Sequence, residues 1–124
     1  MTPQGIYSML IAVDANVPVA YYRFVDTPTD PAPAPPFVCW FFKASDDFFA
    51  DDANYQGICP LAVELYTDFK DFELEAKYEA AFAAAGLRWE REEANLDDQR
   101  MHMTTWNMDA VLTAPTQNEA PGAP

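Results

Sequence analysis

Basic residues are scarce in this chain: seven lysines and arginines stand against 20 aspartates and glutamates in 124 residues, a formal charge of −13 at pH 7. Phosphate binding draws its affinity from Lys and Arg that neutralise backbone charge, so this balance argues against a nucleic-acid clamp. It argues equally against docking on an anionic membrane. Histidine is rarer still. His102 is the only one, so a Ser-His-Asp or Cys-His set rests on nothing beyond residue counting. Cys39 and Cys59 are the two cysteines, twenty positions apart and outside any metal-type CxxC pair. Zinc needs several Cys or His ligands at short spacing. The four glycines stand alone, which leaves no glycine-rich phosphate loop. No apolar run has the length to cross a bilayer, and the opening MTPQGIYSMLIAVDANVP has no basic n-region of a secretory signal. The expectation is a reducing cytosol, with both cysteines as buried small hydrophobic thiols.

What is abundant is apolar and acidic. Half the residues are hydrophobic and 15% are aromatic, enough for one core and against global disorder. The acid excess favours solubility and partners with basic patches. Neighbouring carboxylates such as Glu92-Glu93 and Asp97-Asp98 are expected by number alone in so acidic a chain. Acid-base chemistry would require one of each pair to be buried with a shifted pKa. No catalytic, cofactor-binding or metal-ligating residue is therefore assigned, and the expectation is a protein that is not an enzyme.

Leu61 to Gly86 carries the clearest structural pattern. Leu61, Val63 and Leu65 alternate with Ala62, Glu64 and Tyr66, the period of a strand with one dry face. Asp71 is placed to cap a helix, and Leu74, Tyr78, Ala81, Phe82 and Ala85 form one helical stripe. Gly86 closes it. Before this unit, Thr2-Pro3 opens a first helix with Ile6, Met9, Leu10 and Val13 on one face, ended by Asn16 and Pro18. Val19 to Val25 reads as a strand. Residues 26–36, DTPTDPAPAPP, hold five prolines and read as an extended connector across the end of a hairpin. Pro33 and Pro36 fit PxxP, a pattern of low specificity.

Phe37 to Lys43 is almost continuously apolar, as in a strand covered on both faces or left open to a partner. Ser45 to Asn54 is acidic with embedded aromatics. Its Asp46, Asp47, Asp51 and Asp52 lack the alternate oxygens, central Gly and closing Glu of a calcium loop, and a solvated turn beside a short aromatic strand is expected. Pro60 marks an edge, bulge or strand start. Leu87 and Trp89 begin a further strand, and residues 95–99 form a turn. In Met101–Leu112 the apolar positions change from odd to even, which predicts a bulge or a change of partner sheet near Thr104-Thr105. The reading is an α+β fold, a mostly antiparallel sheet of four to five strands with two helices on one face. Residues 1–113 form a single domain and 114–124 a flexible C-terminal tail. Phe41, Phe42, Phe48, Phe49 and Trp40 are either covered by that architecture or left as a protein interface.

The segment from Leu61 to Leu112 resembles the small tail-completion or tail-terminator (head-tail joining) proteins of long-tailed bacteriophages and prophages. The resemblance rests on Glu64-Leu65-Tyr66-Thr67-Asp68, Lys70-Asp71, Leu74-Glu75, Gly86 and Trp89. Upstream, Pro18 to Phe24 and Phe37 to Phe42 resemble the group's paired strands, and Ser45 to Tyr55 a short aromatic hairpin. Phe72 stands where the group often has a helix-opening proline, and the proline-rich insert is longer than its members carry. The resemblance implies a structural virion protein without enzymatic activity. It would form a ring, usually hexameric, at the head-proximal end of the tail tube, assembled in the host bacterial cytoplasm. Implied partners are its own copies, the tail tube protein, the head-completion or connector protein and the tape measure protein, with no specific nucleic acid and no membrane. Two alternatives stay open: a head-completion or neck protein, and an acidic intracellular binding protein that mimics the charge of DNA.

Overall fold

The computed structural model describes residues 1–43 and 57–112. The acidic stretch from Ser45 to Asn54, with its turn, aromatic hairpin and rejected calcium loop, lies outside the described residues. So does the tail from 114 onward.

Local rules set both helices. The Thr2 hydroxyl accepts the Gly5 N–H at 3.0 Å, and Pro3 stands in the first turn of α1 (Pro3–Val13). Ile6 and Leu10 are fully buried, with Met9 and Val13 packed beside them. In α2 (Phe72–Ala84) the Asp71 carboxylate accepts from Leu74 N at 3.1 Å. Gly86 takes φ +76°, and the Leu87 N–H returns to Phe82 O at 2.9 Å. Leu74, Tyr78 and Phe82 are buried, Ala81 is half-buried and Ala85 is exposed. Losing the Asp71 cap in Asp71→Ala is expected to cost about 1 kcal/mol in urea unfolding, while Asp71→Ser retains most of it.

Five strands form one sheet: β1 (Val19–Tyr21), β2 (Phe37–Phe42), β3 (Gly57–Thr67), β4 (Trp89–Leu96) and β5 (Met101–Leu112), in the order β1-β2-β3-β5-β4. All pairings are antiparallel except β1–β2. The apolar stripes of both helices join one core with Val38, Trp40, Leu61, Val63, Leu65, Trp106 and Met108. The register puts these strand residues on a single face. The α+β fold with helices on one face of a mostly antiparallel sheet is therefore present.

Three local expectations are corrected. The first strand stops at Tyr21, because Tyr22 adopts φ +71° and turns the chain over the sheet edge. The rings that follow pack on the face away from the helices, Tyr22 against Phe41 at 5.7 Å and Phe24 against Phe37 at 5.6 Å. Second, β1 and β2 are parallel, so residues 22–36 form a crossover and not the end of a hairpin.

Third, β5 has no bulge. Its ladders run unbroken through Thr104 and Thr105 against both β3 and β4. The inward face simply continues through polar residues: His102 and Thr104 are buried in line with Trp106 and Met108. Met101 and Met103 lie half-buried on the other face.

Pro60 lies inside β3 and not at its start, yet it breaks no central ladder. Its carbonyl accepts from Lys43 N at 2.9 Å, just past the end of β2. The N–H and C=O of one strand residue point the same way, so the missing donor falls on the Lys43 side, past the end of β2.

Candidate functional site

Among the described residues, a dense group of titratable side chains lies between α2 and the β4–β5 edge. Glu75 and Glu79, one turn apart on α2, point at the sheet. On β4 the alternate residues Arg91, Glu93 and Asn95 share the helix-facing side, opposite Trp106, Thr104 and His102 of β5. Lys70 enters from the β3–α2 loop.

Glu75 is 2% exposed. Its carboxylate accepts from Lys70 Nζ at 2.5 Å and Thr104 Oγ1 at 3.0 Å, with Arg91 Nη1 at 3.5 Å. Glu79 accepts from Arg91 Nη1 at 3.0 Å and Trp106 Nε1 at 2.9 Å. Glu93 pairs with Lys70 and with His102 Nε2 at 3.1 Å. His102 Nδ1 meets Asn95 Oδ1 at 2.9 Å. Both ring nitrogens of the histidine are thus engaged, which leaves neither free to act as a base or ligand.

One ligand atom each from Glu75, Glu93 and His102 falls within 4.8 Å of the others, a spacing that a metal ion could use. The Lys70 ammonium already bridges the two carboxylates of that trio. An ion would have to displace it, and the set fits a divalent cation poorly. The geometry is that of a structural clamp tying the edge strand β4 to α2. Buried polar groups of this kind are tolerated because each has its partners.

The charges give the clamp a pH window. The Lys70 hydrogen bond holds the Glu93 carboxyl below its ordinary value; burial opposes this, and the Lys70 charge, His102 and Arg91 add to it. Burial would lower the Lys70 ammonium, but its hydrogen bonds to Glu75 and Glu93 and their charges outweigh that and raise it above 10.5. A depressed carboxyl contributes stability above its unfolded value of 4.5 and loses it as pH falls through the folded one. A raised ammonium contributes below 10.5 and loses it as pH rises through its folded value. Urea unfolding across a pH series should therefore show an acid limb that flattens in Glu93→Gln and an alkaline limb that flattens in Lys70→Met.

Nucleophilic chemistry has no prepared group among the described residues. Both cysteines are free and buried. They lie on opposite faces of the sheet, Cys39 beside Glu64 and Cys59 beside Ala110. Burial, then the Glu64 charge, pushes the Cys39 thiol up to about 11 despite a backbone hydrogen bond at Phe24. Burial and Asp109 push Cys59 up to about 11. Both are protonated thiols near neutrality. A polar groove of about 660 Å³ brings Lys43 and Arg88 near Glu90 and Asp109 at the other end of β4–β5, with Lys43 Nζ on Asn107 Oδ1 at 2.7 Å. It holds no nucleophile–base pair.

Of the carboxylate pairs read from the sequence, Glu93 enters the clamp, Glu92 faces away, and Asp97-Asp98 sit exposed in a 3₁₀ turn. His102 is a buried strand residue hydrogen-bonded at both ring nitrogens. Lys70, Glu75, Glu79 and Arg91 were not singled out as a cluster. Their signal was the i, i+4 pair of glutamates beside the apolar stripe of α2 together with alternate polar residues in β4.

No family model matches the chain, and no curated protein matches it. Among solved structures, it is similar to a chain from the virion of a native gene transfer agent particle, at 18% identity and a TM-score of 0.48, covering 89% of this chain and 93% of that one.

Proposed function

We propose that this chain is a structural virion protein of a phage-like particle, a tail terminator or tail-completion protein. It forms a ring at the head-proximal end of the tail tube, stops tube growth and joins the tail to the head. The observation that carries the reading is the segment Leu61–Leu112, whose sequence resembles that group. It folds as strand, Asp71-capped helix, Gly86 stop, edge strand, tight turn and long strand. Two features make a scaffold the better account than an enzyme. The titratable cluster is held in ion pairs between α2 and β4, and the sheet leaves its two outer strands without a further partner among the described residues.

A ring needs two different surfaces that meet head to tail. The β1 side is apolar, with Tyr7, Ile11 and Tyr21 exposed. The β4 side carries exposed Glu90 and Glu92. Acidic residues toward a lumen would let DNA slide and not stick. The partners in this reading are further copies, the tail tube protein and the head-completion or connector protein.

Electron microscopy of tail tubes grown with and without the purified chain tests this. Rings capping tubes of arrested length are expected; uncapped tubes of unchanged length contradict it. The charge of −13 favours a second reading, an acidic mimic of DNA. That protein would bind a basic DNA-binding enzyme with strong salt dependence and would be absent from purified particles.

A further inference from the structure

The two outer edges of the sheet are built differently. At one, β1 has three residues, follows Pro18 and ends where Tyr22 turns over the edge at φ +71°. An edge so short gives another chain little to pair with. At the other, β4 runs for eight residues without a proline, and each pairs with a residue of β5 in an unbroken register. Among the described residues nothing pairs with its outer side. Alternate residues of an edge strand turn both N–H and C=O outward, so β4 presents about four donors and about four acceptors there.

The strand is also held in shape. Arg91 is engaged by Glu75 and Glu79 of α2, and Glu93 by Lys70 and His102. These contacts lie on the helix side of the sheet. A template already fixed loses little conformational freedom when a strand is added to it.

The side chains on the other face define which strand fits. In order they are Glu90, Glu92, Ala94 and Leu96. Both glutamates are exposed and form no ion pair among the described residues. Ala94 and Leu96 are half-buried beside Met103 and Met101 of β5. Charge is thus what guards this edge, and acidic charge repels like-charged strands while it admits a basic one. A complementary strand carries basic residues opposite the glutamates and apolar residues opposite Ala94 and Leu96. A second copy of this chain does not supply it, because Arg91 is the one Lys or Arg in the five described strands.

We propose that β4 is a docking edge for a strand of another protein, with two basic residues against Glu90 and Glu92 and two apolar residues against Ala94 and Leu96. The strand adds antiparallel, the more stable pairing, so its apolar residues come first and its basic ones last. The inference stands whether or not the chain forms rings, and its test uses the free full chain.

The probe is the peptide acetyl-VTVTKTKT-amide, with acetyl-VTVTETET-amide as control, each titrated into the isotope-labelled full chain and followed by nuclear magnetic resonance. Expected are saturable shifts centred on the β4 amides, slower exchange at alternate β4 amides, and an affinity at least about tenfold above that of the acidic control. Added salt should weaken the binding. In the Glu90→Lys/Glu92→Lys variant, whose changes lie outside the core, the preference should invert toward the acidic peptide. General attraction to a chain of charge −13 would leave the basic peptide preferred in that variant. Three results each overturn the proposal: no saturable binding, shifts centred away from β4, or a basic preference that survives the charge reversal.

Discussion

Trp106→Ala is expected to lower unfolding free energy by about 3–5 kcal/mol, the range for emptying a large buried aromatic site. Trp106 is fully buried in the middle of β5, paired with Val63 on one side and Arg91 on the other. Its ring lies 5.8 Å from that of Tyr78 and 5.3 Å from that of Phe82, so it is a main aromatic contact between α2 and the sheet. Its Nε1 also donates to Glu79. Truncation opens a cavity and removes one of the two donors that hold that carboxylate. Trp106→Phe retains most of the ring volume and should cost less, leaving mainly the lost hydrogen bond. Urea unfolding followed by near-ultraviolet circular dichroism measures both. A loss below about 1 kcal/mol for the alanine variant would show that α2 is held mainly by other contacts.

Lys70→Met is the second large effect. It leaves the Glu75 carboxylate, 2% exposed, with Thr104 and the more distant Arg91 as its remaining partners among the described residues. Removing one partner of a buried pair costs about 3–5 kcal/mol. Because Lys70 is 26% exposed and Arg91 stays within 3.5 Å, the expected loss is smaller, about 1–3 kcal/mol. The diagnostic is the sign of the coupling. Once Glu75→Met has removed the buried charge, Lys70→Met should cost much less, because an apolar pair of similar volume needs no compensation. A double-mutant cycle by urea unfolding should give a coupling of at least about 1 kcal/mol. Additive losses would mean that the two charges do not act as a pair.

What the sequence made legible follows the range over which each determinant acts. The Thr2 and Asp71 caps, the Gly86 stop and the two apolar stripes are local and stand as read, except that Ala85 lies exposed just past the end of α2. The parallel pairing of β1 and β2 was hidden because it depends on Tyr22 turning over the sheet edge, which nothing in the VAYYRFV pattern marks. The bulge expected in β5 from the odd-to-even change of apolar positions is absent because the inward face continues through two polar residues, His102 and Thr104. Each points inward because its partners come from distant parts of the chain: Glu75 for Thr104, and Asn95 and Glu93 for His102. The clamp was illegible for the same reason. In one dimension Glu75, Arg91 and Glu93 look like the solvated residues of an acidic chain; only the β4–β5 register and the seat of α2 bring them together.

The ion pairs of Glu75 and Glu79 with Lys70 and Arg91 tie the edge strand β4 to α2. Deleting the coding sequence from its parent genome, and imaging any phage-like particles released, tests the proposed function most directly. Tail-terminator activity predicts heads and overlong or unjoined tails, restored to joined particles of normal length when the chain is supplied in trans. Normal particles of normal tail length in the deletion would contradict it.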